Sequence, residues 1–480
     1  MTERASADIV KVADVVIVGA GVAGLAAAVA LSGAGARVVL LERKPYVGGR
    51  AYSYRHPALE EVIDSQHVLL GCCTNLIDLC KLAGADRHIR WYDGITFLEP
   101  GGDGREARRS ELKPGVLPAP GHSAWSFLRA PMLEMRDKAC IARGLFEFVR
   151  GVPAEDDEAF SNWLQRTKQT ERSIRHFWEP LIVSTLNDAF ERCSTRYAAQ
   201  VAYESLLKSA EGGRFGIPVQ PLSEFYAAVA GLAERQGAEV RLRCSVERIE
   251  RTDAREWNAV ASDGERYTAP TLLLALPFEQ TAKLLETLAE PTEVQRAVME
   301  DTAKFVHSPI TTIHLWFNRE VTELDHAALL DTRIQWMFNK TRIRREEMGR
   351  GQYLELVISA SFDELRKERE EILADAMEEL ARFFPGVRSA QVVKSAVLKE
   401  ARATFSVAPG LDRFRPVQNI CEDRLFLAGD WTKTGWPSTM EGGVRSGRLA
   451  AEGILRAGGG RQSFVKADLA PTGLMRMLAR

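Results

Sequence analysis

Three glycines that directly follow a short apolar run constrain the fold of this chain more than any other feature. The run, Val15 to Val18, is typical of a buried parallel strand. Gly19 permits a tight turn, Gly21 lets the backbone approach a pyrophosphate, and Gly24 lets the next helix pack against the strand. The pattern predicts a Rossmann-like α/β domain in which a helix N-terminus faces the phosphates of a dinucleotide.

The residues after this turn complete the same unit. Residues 25–31 are rich in alanine and favour a helix, and residues 37–41 form a second apolar strand that ends at Glu42. Glu42 stands 18 positions after Gly24 (42 minus 24), where an acid accepts hydrogen bonds from both hydroxyls of a ribose. An acid at this position also argues against a ribose that carries a 2′-phosphate.

A glycine-rich loop close behind Glu42 bears on which dinucleotide is bound. Residues 45–50 read Pro-Tyr-Val-Gly-Gly-Arg. Gly49 and the glycine before it allow a close approach of the backbone, and Arg50 supplies positive charge to a diphosphate. A loop of this kind at this position favours FAD over NAD, and Arg43 beside Glu42 is a further candidate for cofactor contact.

A segment near the C-terminus predicts the opposite wall of the same cofactor site. Residues 424–428 form a strand pattern that runs into Gly429 and Asp430, and a helix pattern with small residues begins near residue 441. Asp430 is placed to accept a hydrogen bond from a ribityl hydroxyl, and the positive end of the helix dipole can stabilise a reduced flavin. Further predicted cofactor contacts, from this helix and from a strand in the middle of the chain, are Met440, Val444 and Val246.

Long inserts separate the cofactor segments, and this predicts two domains of an α/β protein. We expect a Rossmann-like FAD-binding domain of three discontinuous pieces and a substrate domain of mixed helices and β-sheet. The first comprises residues 1–75, 205–290 and 415–462. The second comprises residues 76–204 and 291–414, and residues 463–480 form a C-terminal tail.

The composition argues against several classes of protein. The 480 residues carry 63 basic and 65 acidic side chains, and the formal net charge of −2 gives no support to a nucleic-acid binder. Hydrophobic residues make up 45% of the chain, which is enough for a large core. The seven cysteines show no metal-type spacing, so we expect reduced thiols, no metal and a cytoplasmic protein. No apolar run reaches the roughly 18 residues of a membrane-spanning helix.

The split cofactor pattern resembles the amine oxidase and phytoene desaturase superfamily of FAD enzymes over nearly the whole chain. Residues 64–76, 177–187 and 429–442 are similar, more narrowly, to the bacterial hydroxysqualene dehydroxylases, also called squalene-associated FAD-dependent desaturases. This resemblance implies that reduced FAD supplies hydride to hydroxysqualene, an allylic alcohol, which loses its hydroxyl and becomes squalene in hopanoid biosynthesis. Ser65 and Lys433 depart from the family pattern, so the detailed shape of the pocket is not carried over from the family.

The implied chemistry needs a proton donor and surroundings that tolerate a cation. His67 is the candidate general acid because the corresponding stretch of the superfamily lies beside the flavin ring, and Asp64 is the candidate that orients it. A core histidine bonded to the backbone is the alternative interpretation of His67. Aromatic rings can stabilise an allyl cation through their negative faces. The candidates for such a substrate pocket are Phe177, Trp178, Trp431 and Trp436.

A C30 isoprenoid resides in a bilayer, so the resemblance also implies a peripheral contact with the inner face of the cell membrane. Apolar and basic residues recur with helical periodicity in residues 131–150 and in the tail at 473–480. A packed amphipathic helix with a solvated basic face explains the same pattern. The electron donor that re-reduces the flavin is not indicated by any motif.

Three other functions stay open at this point. A phytoene or carotenoid desaturase shares the fold and the cofactor but removes hydride from its substrate. An amine oxidase needs an aromatic pair that faces the flavin, and the sequence does not show that Trp431 and Trp436 form one. A prenyl-binding escort would share the fold without redox chemistry, but the intact glycine turn, Glu42 and Asp430 argue against it.

Overall fold

The computed structural model describes residues 11–101, 107–345, 351–421 and 423–478, which form several sheets and a set of helices between and around them. The strands are β1 (Lys11–Val12), β2 (Val15–Val18), β3 (Val38–Glu42), β4 (Ser53–Arg55), β5 (Val62–Asp64), β6 (Leu69–Leu70), β7 (Ile89–Tyr92), β8 (Ile95–Glu99), β9 (Arg108–Leu112), β10 (Phe215–Pro218), β11 (Glu239–Leu242), β12 (Val246–Arg251), β13 (Trp257–Ala261), β14 (Arg266–Ala269), β15 (Thr271–Leu274), β16 (His307–Phe317), β17 (His326–Leu329), β18 (Trp336–Asn339), β19 (Gln352–Ser359), β20 (Val392–Phe405), β21 (Asn419–Cys421) and β22 (Leu425–Leu427).

Six of the helices, α3 to α8, follow one another between β9 and β10, and the others lie between strands or near the C-terminus. The α-helices are α1 (Val22–Gly33), α2 (Thr74–Ala83), α3 (Ala124–Arg129), α4 (Met135–Val149), α5 (Phe160–Arg166), α6 (Glu171–Ser173), α7 (Ser184–Leu186), α8 (Thr195–Ala202), α9 (Leu222–Arg235), α10 (Phe278–Leu285), α11 (Glu293–Thr302), α12 (Lys340–Arg344), α13 (Arg369–Phe383), α14 (Met440–Ala457) and α15 (Met475–Leu478). Two π-helical segments, Ile174–Val183 and Tyr203–Leu207, continue from α6 and α8.

A six-stranded sheet carries the glycine turn, and its strand order is β11-β3-β2-β15-β22-β21. Neighbouring strands pair in parallel, except for the antiparallel pair of β21 and β22. β2, β3 and β15 are buried along their whole length, which explains why their sequences are continuous apolar runs rather than alternating patterns. The prediction of a Rossmann-like α/β fold is confirmed.

Two helices from opposite ends of the chain pack tightly beside this sheet. α1 follows β2, α14 follows β22, and the two helices are in contact. A Cβ atom built on Gly447 of α14 would lie 2.1 Å from the carbonyl oxygen of Ala23 in α1, so only glycine permits this approach. Near the helix starts, a Cβ atom on Gly443 would lie 3.9 Å from Cβ of Val22. The two helix N-termini therefore lie side by side.

A seven-stranded sheet forms the second large layer, in the order β20-β16-β19-β18-β17-β8-β9. Its pairs are antiparallel except for β8 with β17. Because side chains alternate between the two faces of a strand, Ile313 and Leu315 of β16 pack into a core with Ile372 and Leu380 of α13. Thr312 points the other way and lines a cavity.

Three small sheets complete the architecture, in the orders β1-β14-β13-β12, β6-β10-β7 and β4-β5. The strands of the six-stranded sheet fall within residues 15–42, 239–274 and 419–427, and those of the seven-stranded sheet within 95–112 and 307–405. The exact boundaries of the two domains stay a prediction. None of the helices in the described part of the chain is long and apolar enough to cross a membrane. The last two residues of the predicted amphipathic tail, 479 and 480, lie outside the described residues.

Candidate functional site

A cavity of about 1240 Å³ reaches from the glycine turn to the helices α3 and α4. At one end, its wall includes Gly19 and Glu42 from the six-stranded sheet. At the other end it includes Phe127 of α3, Phe146 of α4 and Phe177 of the first π-helical segment. Most of the predicted cofactor residues and two of the four predicted substrate residues, Phe177 and Trp436, therefore line one cavity.

Gly19 and Gly24 of the glycine turn are packed so tightly that neither position has room for a side chain. A Cβ atom on Gly19 would lie 2.5 Å from the carbonyl oxygen of Ala275, and its φ of +104° is a left-handed conformation that favours glycine. A Cβ atom on Gly24 would lie 1.9 Å from the carbonyl oxygen of Gly19. One on Gly49 would lie 2.9 Å from Cα of Gly21, so the second glycine loop lies directly on the first. The result is a backbone cradle at the N-terminus of α1.

Glu42 lies at the end of β3 in the wall of the same cavity and is nearly buried. Its Oε2 atom accepts a hydrogen bond from the N–H of Ala20 at 2.9 Å, and its Oε1 atom accepts one from the N–H of Lys44 at 2.8 Å. These bonds fix the carboxylate while each oxygen keeps a further lone pair for a ribose hydroxyl. Arg43 and Val246 line the same end of the cavity.

Asp430 and Arg50 join the two distant cofactor segments. Nη2 of Arg50 lies 2.6 Å from Oδ1 of Asp430, and Oδ2 of Asp430 accepts a hydrogen bond from the hydroxyl of Ser438 at 2.6 Å. The hydroxyl of Ser446 in α14 accepts a bond from the N–H of Gly429 at 2.6 Å. Arg50 and Asp430 both line the cavity, where the sequence places a diphosphate contact and a ribityl contact, and the structure shows that they also pair with each other.

The N-terminus of α14 forms the remaining wall of the cofactor end. Thr439 caps this helix by accepting a hydrogen bond from the N–H of Gly442 at 3.1 Å. Met440 and Gly443 line the cavity, whereas Val444 is fully buried behind them in the core. Two positive helix ends and a glycine cradle therefore face a space that also contains a ribose-binding acid, and this set of groups fits a dinucleotide such as FAD.

His67 lies in the wall of the same cavity. Its Nδ1 atom lies 2.7 Å from the carbonyl oxygen of Ser65, so Nδ1 carries the proton and Nε2 is an acceptor when the ring is neutral. Burial lowers the pKa of the His67 imidazole, although the bond to Ser65 and the charge of Asp64 act in the opposite direction. The ring is therefore neutral near pH 7.

Asp64 does not orient His67 by a hydrogen bond, which corrects the sequence-based prediction. Its Oδ1 atom lies 3.0 Å from Nζ of Lys340 and 3.1 Å from Nη2 of Arg344. Burial raises the pKa of Asp64, but these two cations outweigh burial and hold the pKa below its usual value. The carbonyl oxygen of Ser65 orients the His67 ring instead.

Two charged residues that were not predicted from the sequence, Lys340 and Glu355, form a buried cluster with Asp64. Nζ of Lys340 lies 3.1 Å from Oε2 of Glu355, and both side chains are almost completely buried. Burial raises the pKa of Glu355 to about 7, despite the nearby charge of Lys340. A signal for Glu355 existed in the sequence, because it is a lone carboxylate within the apolar run of β19. Lys340 gave no comparable signal.

The four aromatic residues predicted for the substrate pocket divide into two pairs. Phe177 and Trp436 line the cavity. Trp178 is 0% exposed and packs among other aromatic rings, with its Nε1 atom donating to Oε1 of Gln169 at 2.9 Å. Nε1 of Trp431 donates to the carbonyl oxygen of Leu276 at 2.9 Å. Trp178 and Trp431 therefore belong to the core behind the cavity wall, contrary to the prediction.

The described residues contain no group of three or more His, Cys, Asp or Glu side chains that could hold a metal ion.

Comparisons with known proteins agree with the geometry of the cofactor end. The family model for flavin containing amine oxidoreductases matches residues 22–455. The 15-cis-phytoene desaturase of Solanum lycopersicum is 25% identical over 471 residues, which cover 95% of this chain and 80% of the relative. A probable zeta-carotene desaturase of Synechococcus elongatus is 27% identical over 487 residues, which cover 92% of this chain and 98% of the relative.

A solved structure shows the same fold at lower sequence similarity. Cyclohexylamine oxidase from Brevibacterium oxydans is 19% identical and has a TM-score of 0.65, with 92% of this chain and 99% of that chain covered. Because the family model spans most of the chain and the cradle fits the cofactor, the chain belongs to the flavin containing amine oxidoreductases and is an oxidoreductase whose cofactor is FAD.

Proposed function

We propose that this oxidoreductase removes the hydroxyl of hydroxysqualene to give squalene. The observation that carries the proposal is a single cavity whose wall includes the dinucleotide cradle, His67 and many apolar side chains. The similarity of residues 64–76, 177–187 and 429–442 to the bacterial hydroxysqualene dehydroxylases supports this choice among long isoprenoids.

The size and lining of the cavity support a large apolar substrate. Pockets for ordinary small molecules occupy about 300–1,000 Å³, and this cavity of about 1240 Å³ exceeds that range. It therefore suits a dinucleotide together with a second molecule. The walls beyond the cofactor end are mainly aliphatic and aromatic, and their larger residues are Phe127, Leu145, Phe177, Leu181, Trp336, Phe338 and Val357.

The residues of the chain provide what the proposed reaction needs around the cofactor. When bound, FAD supplies the hydride. Loss of the hydroxyl as water needs a proton, and the protonated form of His67 releases its proton more readily than an ordinary imidazolium because burial lowers the pKa of His67. The faces of Phe177 and Trp336 can stabilise an allyl cation, and the apolar walls exclude water that would otherwise trap it.

A desaturase is the second candidate, and two observations favour it. The relatives named above are phytoene and zeta-carotene desaturases, although their identity to this chain is only 25–27%. Desaturation removes a hydride and a neighbouring proton from the substrate, and the neutral His67 ring with its free Nε2 atom suits the second task as a base. The two candidates therefore differ in the direction of hydride transfer and in the starting protonation state of His67.

Anaerobic incubation of the reduced holoenzyme with hydroxysqualene, followed by mass spectrometry, separates the two candidates. We expect squalene as the product, with none formed when the flavin is left oxidised. Conversion of phytoene by the oxidised enzyme, together with unchanged hydroxysqualene under reducing conditions, would overturn the proposal in favour of the desaturase.

We also propose that the enzyme meets its substrate at an anionic bilayer, through a surface that combines the C-terminal tail expected from the sequence with the segment before and on α3. In the predicted segment 131–150, Leu133, Ile141 and Phe148 are buried, so this part is mainly a packed amphipathic helix. Met135 and Phe146 of this segment are nevertheless exposed, and a second group of exposed apolar residues lies before and on α3 and in the last described turns. This apolar rim consists of Val116, Leu117, Trp125, Leu128, Leu474 and Met477.

The apolar rim is one surface and adjoins the cavity. The N–H of Leu474 donates to the carbonyl oxygen of Ala119 at 2.8 Å, which ties the C-terminal turn to the segment before α3. In α3 itself, Phe127 faces the cavity while Trp125 is 61% exposed. The Arg129 guanidinium lies 4.1 Å from the Trp125 ring centroid, and cations beside exposed aromatic rings suit an anionic interface.

Sedimentation with vesicles tests the membrane contact. We expect binding to vesicles with anionic lipid, and weaker binding when Trp125 and Met477 are both replaced by serine. Val294→Ser, which removes another exposed apolar residue outside the rim, is the control and leaves binding unchanged. No sedimentation with either neutral or anionic vesicles contradicts the contact, and a dimer that disappears in the double variant assigns the rim to a second copy of the chain.

A further inference from the structure

One face of the seven-stranded sheet forms a wall of the cavity, and this wall changes from apolar to polar along the sheet. Trp336 and Phe338 of β18 stand directly opposite Val357 and Glu355 of β19, so all four share one face. Trp336, Phe338 and Val357 line the cavity. Glu355 lies at the end of the same row, and it also faces His314 of β16 across the sheet.

The polar end of the wall is a buried cluster of charges that links the two large layers. Nζ of Lys340 lies 3.0 Å from Oδ1 of Asp64 and 3.1 Å from Oε2 of Glu355. Arg344 adds a second cation at 3.1 Å from Asp64. The Lys340, Asp64 and Glu355 side chains are each at most 3% exposed. Burying such groups is costly, and apolar residues in their place are often equally stabilising. The cluster therefore calls for a reason other than stability.

The cluster holds one residue of the cavity wall, Gln66, through hydrogen bonds to both its backbone and its side chain. Oε1 of Glu355 accepts a hydrogen bond from the backbone N–H of Gln66 at 2.5 Å. Nζ of Lys340 donates to Oε1 of Gln66 at 2.8 Å. Nε2 of Gln66 in turn donates to the carbonyl oxygen of His67 at 2.7 Å. The positions of Gln66 and His67 in the cavity are thus determined by two charged side chains that lie outside it.

We propose that Lys340 and Glu355 are positioning residues that hold Gln66 and His67 as a hydroxyl-recognition site at the polar end of the cavity. The recognising atom is Nε2 of His67, since its Nδ1 atom is engaged by Ser65. Nε2 accepts a hydrogen bond from the hydroxyl when the ring is neutral and donates one when the ring is protonated. This inference rests on the proposed function, because it assigns the end of the cavity at which the hydroxyl of an otherwise apolar substrate binds. An isoprenoid alcohol is then distinguished from the corresponding hydrocarbon by a hydrogen bond that the hydrocarbon lacks.

Equilibrium titration of the oxidised holoenzyme with hydroxysqualene and with squalene tests the inference, because no hydride is available and the alcohol is not consumed. The change in flavin absorbance reports binding. We expect the wild type to bind the alcohol about tenfold more tightly, the scale of one buried hydrogen bond. Lys340→Met removes the hydrogen bond from Lys340 to Gln66. The ratio of the Kd for squalene to the Kd for hydroxysqualene should then come close to one, with the Kd for squalene unchanged within about twofold.

Two further variants keep the test decisive. Gln66→Met removes the link to Lys340 but leaves the ion pairs of the cluster in place, so it gives the answer if Lys340→Met does not fold. Arg333→Met breaks an ion pair of 2.9 Å to Glu364 elsewhere in the same layer and serves as the matched control, with the tenfold ratio retained.

The outcomes separate this inference from the proposed function. A tenfold ratio that persists in both Lys340→Met and Gln66→Met overturns the positioning role, and so does a wild type that binds the two ligands equally. A wild type that prefers the alcohol and loses this preference in the variants, yet forms no squalene when reduced, upholds the recognition site and overturns the proposed reaction.

Discussion

Replacing Gly24 with alanine tests whether the close approach of α1 to the glycine turn creates the FAD site. The new Cβ atom would lie 1.9 Å from the carbonyl oxygen of Gly19 and 3.2 Å from Cβ of Ala275. A normal carbon–oxygen contact is about 3.3 Å, so helix and turn have to separate by about 1.4 Å. Overpacking of this kind costs about 1–3 kcal/mol. Because this movement displaces the backbone that forms the phosphate cradle, we expect the affinity for FAD to drop about a hundredfold.

The assay is the ratio of flavin to protein absorbance after gel filtration, followed by titration of the apoprotein with FAD. Gly231→Ala makes the same chemical change within α9, where the nearest atom is the flexible Arg235 guanidinium at 3.4 Å. This control should keep FAD and gain about 0.5–1 kcal/mol of stability, since glycine is unfavourable inside a helix. If Gly24→Ala retains FAD with wild-type affinity, the close approach is not what forms the site.

Three other predictions follow from the site. Turnover of hydroxysqualene should fall as the pH rises through the lowered pKa of His67, because the acid form of the ring loses its proton there, and a pH–rate profile measures this. His67→Gln should abolish turnover and keep the flavin. Trp178→Ala should lower the free energy of unfolding by about 3–5 kcal/mol in a denaturant titration, while Phe177→Ala should mainly raise the KM for substrate. Asp430→Asn should weaken FAD binding more than it changes the melting temperature, because it releases Arg50 beside the cofactor.

The cofactor-binding half of the molecule could be predicted from the sequence because the residue patterns that indicate it are local. Gly19 has a positive φ and a close contact with the residue that follows β15, and Gly24 has a close contact with Gly19 itself. The apolar runs of β2 and β3 likewise report directly on burial within a parallel sheet. Such features need no knowledge of the tertiary fold.

The contacts that could not be predicted from the sequence join residues that are far apart in the chain. The pairing of Arg50 with Asp430 joins positions that are 380 residues apart, and Lys340 meets Asp64 across 276 residues. No local pattern specifies these partners. Trp178 and Phe177 are adjacent in sequence, yet one packs into the core and the other faces the cavity, because the π-helical segment around them sets their directions. The exposed apolar surface of α3 could likewise not be predicted, because a short helix that is apolar on both faces has no periodic pattern in its sequence.

The most direct test of the central claim is a single turnover in heavy water. The holoenzyme is reduced anaerobically in D₂O, so that the exchangeable hydrogen on the flavin is deuterium, and it is then mixed with hydroxysqualene. The account predicts squalene that carries one carbon-bound deuterium, formed in proportion to the reduced flavin. Squalene without deuterium, or no squalene while the oxidised enzyme desaturates phytoene, would contradict it.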